Sequence, residues 1–215
     1  MDPEQAANKT LSLLKKQYPD AVTALSFGKP IELLVATILS AQCTDARVNI
    51  VTKELFKKYK TVEDYANADI KKFEQEIRST GFYHNKAKNI INASKLLEEK
   101  FHGKVPKTMA ELMTLPGVAR KTANIVLSET YGIIEGIAVD THVRRLAQRI
   151  GLSKNKDPNK IEQDLMKLLP KNEWRNISNV LIFHGRKVCI ARKPKCEICV
   201  LNKFCISAFK INKKA

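Results

Sequence analysis

A chain of 215 residues, 44% of them hydrophobic, can build one large domain or two modest ones and fill a core without help from disulfides. Lys and Arg outnumber Asp and Glu by 38 to 22, giving a formal charge of +16 and a pI near 9.7, a balance that suits either a polyanionic partner, nucleic acid first, or a merely solvated basic surface. The polar start MDPEQAANKTLSLL lacks a basic segment followed by an apolar one, and the longest apolar stretch, Leu33 to Ala41, is too short to span a bilayer, so an intracellular protein with no membrane segment is expected.

Helix signals follow one another along the chain. Pro30 is suited to a first helical position, and the apolar residues of IELLVATILSAQ surround the axis, as in a central helix packed on every side. Thr44 can cap DARVNIVTKELFKKY, Thr61 or Asp64 the next short helix, and Asp69 the segment IKKFEQEIRST, with Gly81 as its left-handed stop. Thr108 with Glu111 predicts a capping box, and Asp157-Pro158 opens a helix that runs to Leu169, where Pro170 closes it. Only Gly136 to Val139 reads as a short extended connection, so the predicted fold class is all-α. Composition marks no domain boundary.

LPGVARKTA, residues 115–123, is a tight Pro-Gly turn between two helical patterns and reads as a helix-hairpin-helix. Gly117 permits a positive φ, and the turn would aim backbone N–H groups and a helix N-terminus at a phosphate, giving affinity without sequence preference. An ordinary helix-to-helix turn is the alternative, and the basic pair Arg120 and Lys121 favours phosphate. Lys121 would lie in the first helical turn, where the helix dipole and Arg120 both disfavour an ammonium ion and so favour a nucleophilic amine. Another phosphate contact is the plainer reading. Asp140, at the junction Val139-Asp140-Thr141-His142, is an N-cap or a carboxylate able to move protons and steady a cationic sugar near Lys121.

Four of the five cysteines, Cys189, Cys196, Cys199 and Cys205, are separated by six, two and five residues. One short loop system can wrap four such thiolates around one centre. Zinc sites usually draw two close Cys pairs, and this pattern has one, which tilts the choice toward iron-sulfur without excluding zinc. Arg192, Lys193 and Lys195 lie in the loop between the first two cysteines, suited to a phosphate backbone or simply solvated. Cys43 is read as a small buried residue beside the central helix.

The LPGVARKTAN hairpin, the IAVDTHV junction, the cysteine tail, SAQCTDARVN and TGFYHNKAKNI stand in an order and spacing that resembles the endonuclease III family over nearly the whole chain. The resemblance implies a two-lobed helix-hairpin-helix glycosylase fold: a six-helix barrel at 23–134 holding the hairpin at about 108–128, and a discontinuous iron-sulfur lobe from 1–22 and 135–215, with DNA across the groove between them. It implies a 4Fe–4S cluster on Cys189, Cys196, Cys199 and Cys205. Lys121 matches the family's Schiff-base lysine and Asp140 its catalytic aspartate. Gln42 matches the residue that fills the gap left by a flipped nucleotide, with a helix-end cap as its plain alternative. Phe82 stands where the family often has Leu, as a wedge in the opposite strand or else a core aromatic. DNA contacts are further expected from Gly117, Ala119, Arg120, His142, Arg192, Lys193 and Lys195.

The implied activity is base-excision repair by a bifunctional DNA N-glycosylase and abasic-site lyase. Lys121 displaces an oxidised or ring-saturated pyrimidine such as thymine glycol, and β-elimination then nicks the strand. A monomer acting on double-stranded DNA in a bacterial cytoplasm, at the nucleoid, is expected. Two departures stand out: Ala119 occupies a position that commonly holds a second glycine, costing about 1 kcal/mol if φ must be positive there, and Phe82 replaces Leu. The rival readings are a monofunctional glycosylase of the same superfamily, against which Lys121 speaks, and a non-catalytic DNA-binding module with a zinc-stabilised tail.

Overall fold

The computed structural model describes Met1 to Ile211; residues 212–215, the end of the expected 135–215 segment, lie outside the described residues. No β-strand occurs among the described residues, in agreement with the all-α expectation. They form two compact units, one from Thr23 to Glu135 and the other from Met1–Val22 together with the chain from Gly136 onward.

The Thr23–Glu135 unit is built around one apolar helix. α1 (Pro3–Gln17) belongs to the other unit, so this one begins with α2 (Pro30–Leu39), which Pro30 opens as its first residue. Eight of the ten residues of α2 are buried, which is why its hydrophobicity has no single face. Each leucine withdrawn from water there contributes about 1.5–3 kcal/mol. Glu32, its one charge, turns back to accept the backbone amides of Gly28 at 2.6 Å and Lys29 at 3.1 Å.

Around α2 lie α3 (Asp45–Lys58), α4 (Val62–Ala66), α5 (Ile70–Ile77), α6 (Tyr83–Phe101), α7 (Met109–Leu112) and α8 (Arg120–Tyr131), of which α3, α6 and α8 pack directly on it. Thr44, Thr61 and Asp69 cap α3, α4 and α5 as expected, each accepting an amide three residues on. Asp64 answers Thr61 by accepting the amides of Lys60 and Thr61, so the two candidate caps work as one capping box.

Two local expectations need correction. Gly81 does not stop a helix in the left-handed conformation: α5 ends at Ile77, a 3₁₀ turn follows over Arg78–Thr80, and Gly81 has φ 71 and ψ 159. That region is open essentially to glycine alone, and the left-handed residue is its neighbour Phe82. Thr108 does cap α7, but the Glu111 carboxylate accepts the Thr108 hydroxyl at 2.6 Å instead of its backbone amide.

The second unit joins α1 to α9 (Thr141–Ile150), α10 (Pro158–Leu168) and α11 (Trp174–Lys187). Leu11 and Leu14 of α1 meet Val143, Leu146, Ile150, Ile161, Leu165, Ile177 and Leu181 in a continuous core. Asp157 caps α10 and Leu169 ends it, as the flanking prolines predict. After α11 the described residues form only short turns, among them the 3₁₀ turn Cys196–Ile198, so their order has to come from something other than helix packing.

Candidate active site and metal centre

The hairpin lies within the first unit. α7 ends at Leu112, the amides of Leu115 and Val118 bond back to the carbonyls of Leu112 and Leu115, and α8 starts at Arg120. Gly117 has φ +80, and a Cβ there would sit 2.9 Å from Asn89 Cβ on α6, so backbone and space both demand glycine. Gly117→Ala is expected to cost about 1–2 kcal/mol from conformation alone, before Asn89 moves. Melting curves and duplex titration check this; an alanine variant with wild-type duplex affinity would deny the turn any part in binding.

Ala119 is extended, with φ −95 and ψ 171, so the cost anticipated for a second glycine position does not arise. As N-cap of α8 it has no side-chain acceptor, and the first-turn amides point from the helix uncapped by it. Arg120 is half-buried. Lys121, next in the same turn, is exposed at the surface of its unit.

Asp140 is the N-cap of α9 in the other unit, and its Oδ1 accepts the amides of His142 and Val143, both at 2.8 Å. The cap therefore occupies one oxygen of the carboxylate and fixes the orientation of the pair. His142 is half-buried beside Gly185, with Nδ1 at 3.1 Å from an Arg145 guanidinium nitrogen. Burial holds its imidazole below the ordinary value, Arg145 and Arg186 push the same way, and Asp140 opposes them.

Gln42 and Phe82 both belong to the Thr23–Glu135 unit, and both are exposed non-glycine residues in the left-handed region, at φ 53 and φ 48. Phe82 is 63% exposed, which removes the core-aromatic alternative. Gln42 stands beyond Ser40, the residue that ends α2, so it does not cap that helix. Cys43, half-buried, packs against the core around α2.

Cys189, Cys196, Cys199 and Cys205 line one partly open cavity with Arg149, Val188, Pro194 and Lys195, and none is paired in a disulfide. Among the described residues no three His, Cys, Asp or Glu side chains converge closely enough to grip one metal ion. Four thiols facing a shared space without converging on a point suit a polynuclear cluster better than a single tetrahedral ion. Burial and the other three thiols push Cys199 up to about 11, although a Leu201 backbone bond opposes this, and burial also raises Cys205. Thiolates gathered there would need a bound metal cation to offset that repulsion.

Three side chains around this cavity were not anticipated. His184 Nε2 lies 3.2 Å from Cys199 Sγ, and its Nδ1 lies 3.1 Å from the Tyr18 hydroxyl. Burial brings His184 down to about 4. With Cys199 bound to a cluster as a thiolate, the sulfur could only accept, so Nε2–H would donate to it and the Tyr18 hydroxyl would donate to Nδ1. Arg149 donates to Cys189 Sγ at 3.4 Å and to the Ile190 and Ala191 carbonyls at 2.9 and 2.6 Å. It thereby pins the root of the basic loop, whose Arg192, Lys193 and Lys195 are exposed while Pro194 is buried. No sequence spacing flags these partners, because they come from α1, α9 and α11.

Residues 35–171 match the family model of the HhH-GPD superfamily base excision DNA repair protein, and residues 189–205 match that of the iron-sulfur binding domain of endonuclease III. An endonuclease III of Synechocystis sp. is 55% identical over 205 residues, covering 95% of this chain and 94% of that protein. Among solved structures, a non-covalent endonuclease III–DNA complex superposes with a TM-score of 0.94 at 45% identity, covering 98% of each chain. A trapped endonuclease III–DNA covalent intermediate gives the same score and identity, covering 98% of this chain and 99% of that one.

Proposed function

The chain belongs to the endonuclease III family of helix-hairpin-helix base-excision DNA repair proteins, and on that premise we propose that it removes oxidised or ring-saturated pyrimidines from duplex DNA with Lys121 as nucleophile and Asp140 as its carboxylate. It is a DNA glycosylase and abasic-site lyase that carries a 4Fe–4S cluster. The observation that most supports the lysine assignment is placement: Lys121 is exposed in the first turn of α8, immediately behind a hairpin turn that admits no side chain at Gly117. A phosphate seated on the hairpin amides and Arg120 would hold the strand next to that amine.

The uncharged Lys121 amine bonds to the anomeric sugar carbon as the glycosidic bond breaks and the base departs, taking up a proton. Loss of an amine proton and opening of the sugar ring leave an imine. The imine acidifies the adjacent C2′ hydrogen, and its removal expels the 3′ phosphate by β-elimination. Asp140, aimed by its two amide bonds, steadies the cationic sugar and takes or returns these protons. Gln42 fills the place of the flipped nucleotide and Phe82 wedges the opposite strand, which costs a few kcal/mol of stacking and recovers part of it by contact.

Cys189, Cys196, Cys199 and Cys205 would hold the cluster, as their shared cavity supports. Bound there, an iron-sulfur cluster would supply a rigid cross-link within the turns of residues 189–205 and a redox-capable centre that lyase chemistry does not use. Arg192, Lys193 and Lys195, on the loop this cross-link closes, reach the DNA backbone, with His142 as a further contact. The Synechocystis relative is bacterial, and no helix among the described residues is long and apolar enough to cross a membrane. We place the protein in a bacterial cytoplasm, acting at the nucleoid as a monomer.

Borohydride reduction with duplexes carrying an abasic site or thymine glycol tests the reading. A covalent protein–DNA adduct is expected with both, and nicking of both but not of undamaged duplex. Excision of thymine glycol without any trapped adduct would overturn the lysine route in favour of a monofunctional glycosylase; an adduct with abasic DNA alone would overturn the pyrimidine assignment.

A further inference from the structure

Lys86, on α6, is only 5% exposed, and its ammonium donates to the carbonyls of Leu39 and Thr80, both at 2.8 Å. Leu39 is the last residue of α2, three before Gln42; Thr80 ends the 3₁₀ turn, two before Phe82. The Lys86 amide also donates to the Phe82 carbonyl at 3.1 Å, the first backbone bond of α6, so the same residue borders the Phe82 turn through both its backbone and its side chain. The Thr80 hydroxyl, itself buried, bonds back to Ile77, and Ser40 bonds back to Thr37, which anchors both turns at their roots.

A buried lysine is costly, and a helix end rarely needs one, because water or a glycine can serve its last carbonyls at less expense. Burial accordingly holds this ammonium below its ordinary value, with Cys43 opposing. What the lysine provides, and a glycine cap cannot, is one rigid link between two turns from distant parts of the chain. Each of those turns presents an exposed non-glycine residue in the left-handed region, where a bulky side chain is strained unless its surroundings hold it.

We propose that Lys86 is a positioning residue that locks the Gln42 turn to the Phe82 turn, so that the two side chains enter a damaged duplex as one rigid pair. This rests on the reading of Gln42 and Phe82 as the residues that occupy the opened stack. Lys86 touches no substrate. It acts by preventing each turn from relaxing independently when the duplex pushes back.

The test uses the full chain with a duplex that carries a tetrahydrofuran abasic analogue opposite 2-aminopurine, whose fluorescence rises when it is pushed from the stack. Lys86→Met is expected to lower the ratio of affinities for this duplex over the intact one by about tenfold, the size of effect expected from stranding a buried acceptor. It should also remove most of the aminopurine signal. Lys86→Arg, which keeps a cation with several donors, should restore part of both. Gln42→Ala and Phe82→Ala should each lower the same ratio, and adding Lys86→Met to their double variant should change it no further.

If the single variants at Gln42 and Phe82 leave the ratio unchanged, the underlying reading of those residues fails. If they lower it and Lys86→Met, though folded, does not, the brace fails while that reading stands. If Lys86→Met does not fold, the coupling of Gln42→Ala with Phe82→Ala in the otherwise wild-type chain decides. Non-additive effects support the brace, and additive ones overturn it.

Discussion

Lys121→Gln should abolish strand nicking and borohydride trapping, lowering the single-turnover rate by at least about a thousandfold, as removal of a covalent nucleophile does. Because Lys121 is exposed and glutamine has nearly the helix propensity of lysine, the melting temperature should hardly move. Duplex affinity should fall by only a few fold, since one lost cation removes one counterion-release contribution and leaves Arg120 and the hairpin amides in place. An amide nitrogen cannot form the imine, so no slow residual trapping is expected. Parallel loss of binding and nicking would instead mark Lys121 as a phosphate contact, and the protein would then need another nucleophile. Single-turnover nicking and equilibrium titration on the same abasic duplex separate the two outcomes.

Asp140→Asn is the sharper probe of the second assignment, because asparagine caps a helix about as well as aspartate does. The bonds to His142 and Val143 fall on one oxygen, which the asparagine carbonyl can replace, so the start of α9 should persist. The stability cost should stay within about 1 kcal/mol, the value of a negative charge at a helix N-terminus. The rate should nevertheless fall by about 10²–10⁴-fold, the usual contribution of a positioned acid-base group. Asp140→Ala would add the loss of the cap, about 0.5–2 kcal/mol, and so mix two effects that asparagine keeps apart. Nicking rates read beside thermal melts provide the check. A near-normal rate in the asparagine variant would reduce Asp140 to a structural cap.

Much of the fold was legible because its signals are local. A cap joins an oxygen to an amide only two or three residues away, so Thr44, Asp69 and Asp157 could be assigned from their neighbours alone, while for Thr61 and Asp140 the cap was one of two readings. The central position of α2 followed from apolar residues all round its axis, and the four-thiol centre from its spacing. Gly117 was legible for the same reason, since a Pro-Gly turn before a helix is a short-range pattern.

The failures lie where distant segments meet. Gly81 looked like a left-handed stop, yet the left-handed residue is Phe82, in a turn that the Lys86 side chain holds from α6. Arg149 and His184 reached the cysteines unannounced, with Tyr18 behind His184, since these residues come together only through the packing of α1, α9 and α11.

The amino-acid order alone thus determined the central helix, most of the helix caps, the hairpin turn and the four-thiol spacing, because each is a pattern among near neighbours that hardly depends on the rest of the chain. Only the tertiary structure decided how the two strained turns at Gln42 and Phe82 are held, through an ammonium whose acceptors stand 47 and 6 residues away. A contact of that kind exists only once the end of α2, the 3₁₀ turn before Phe82 and α6 have been packed together, and no short-range pattern encodes the link to Leu39.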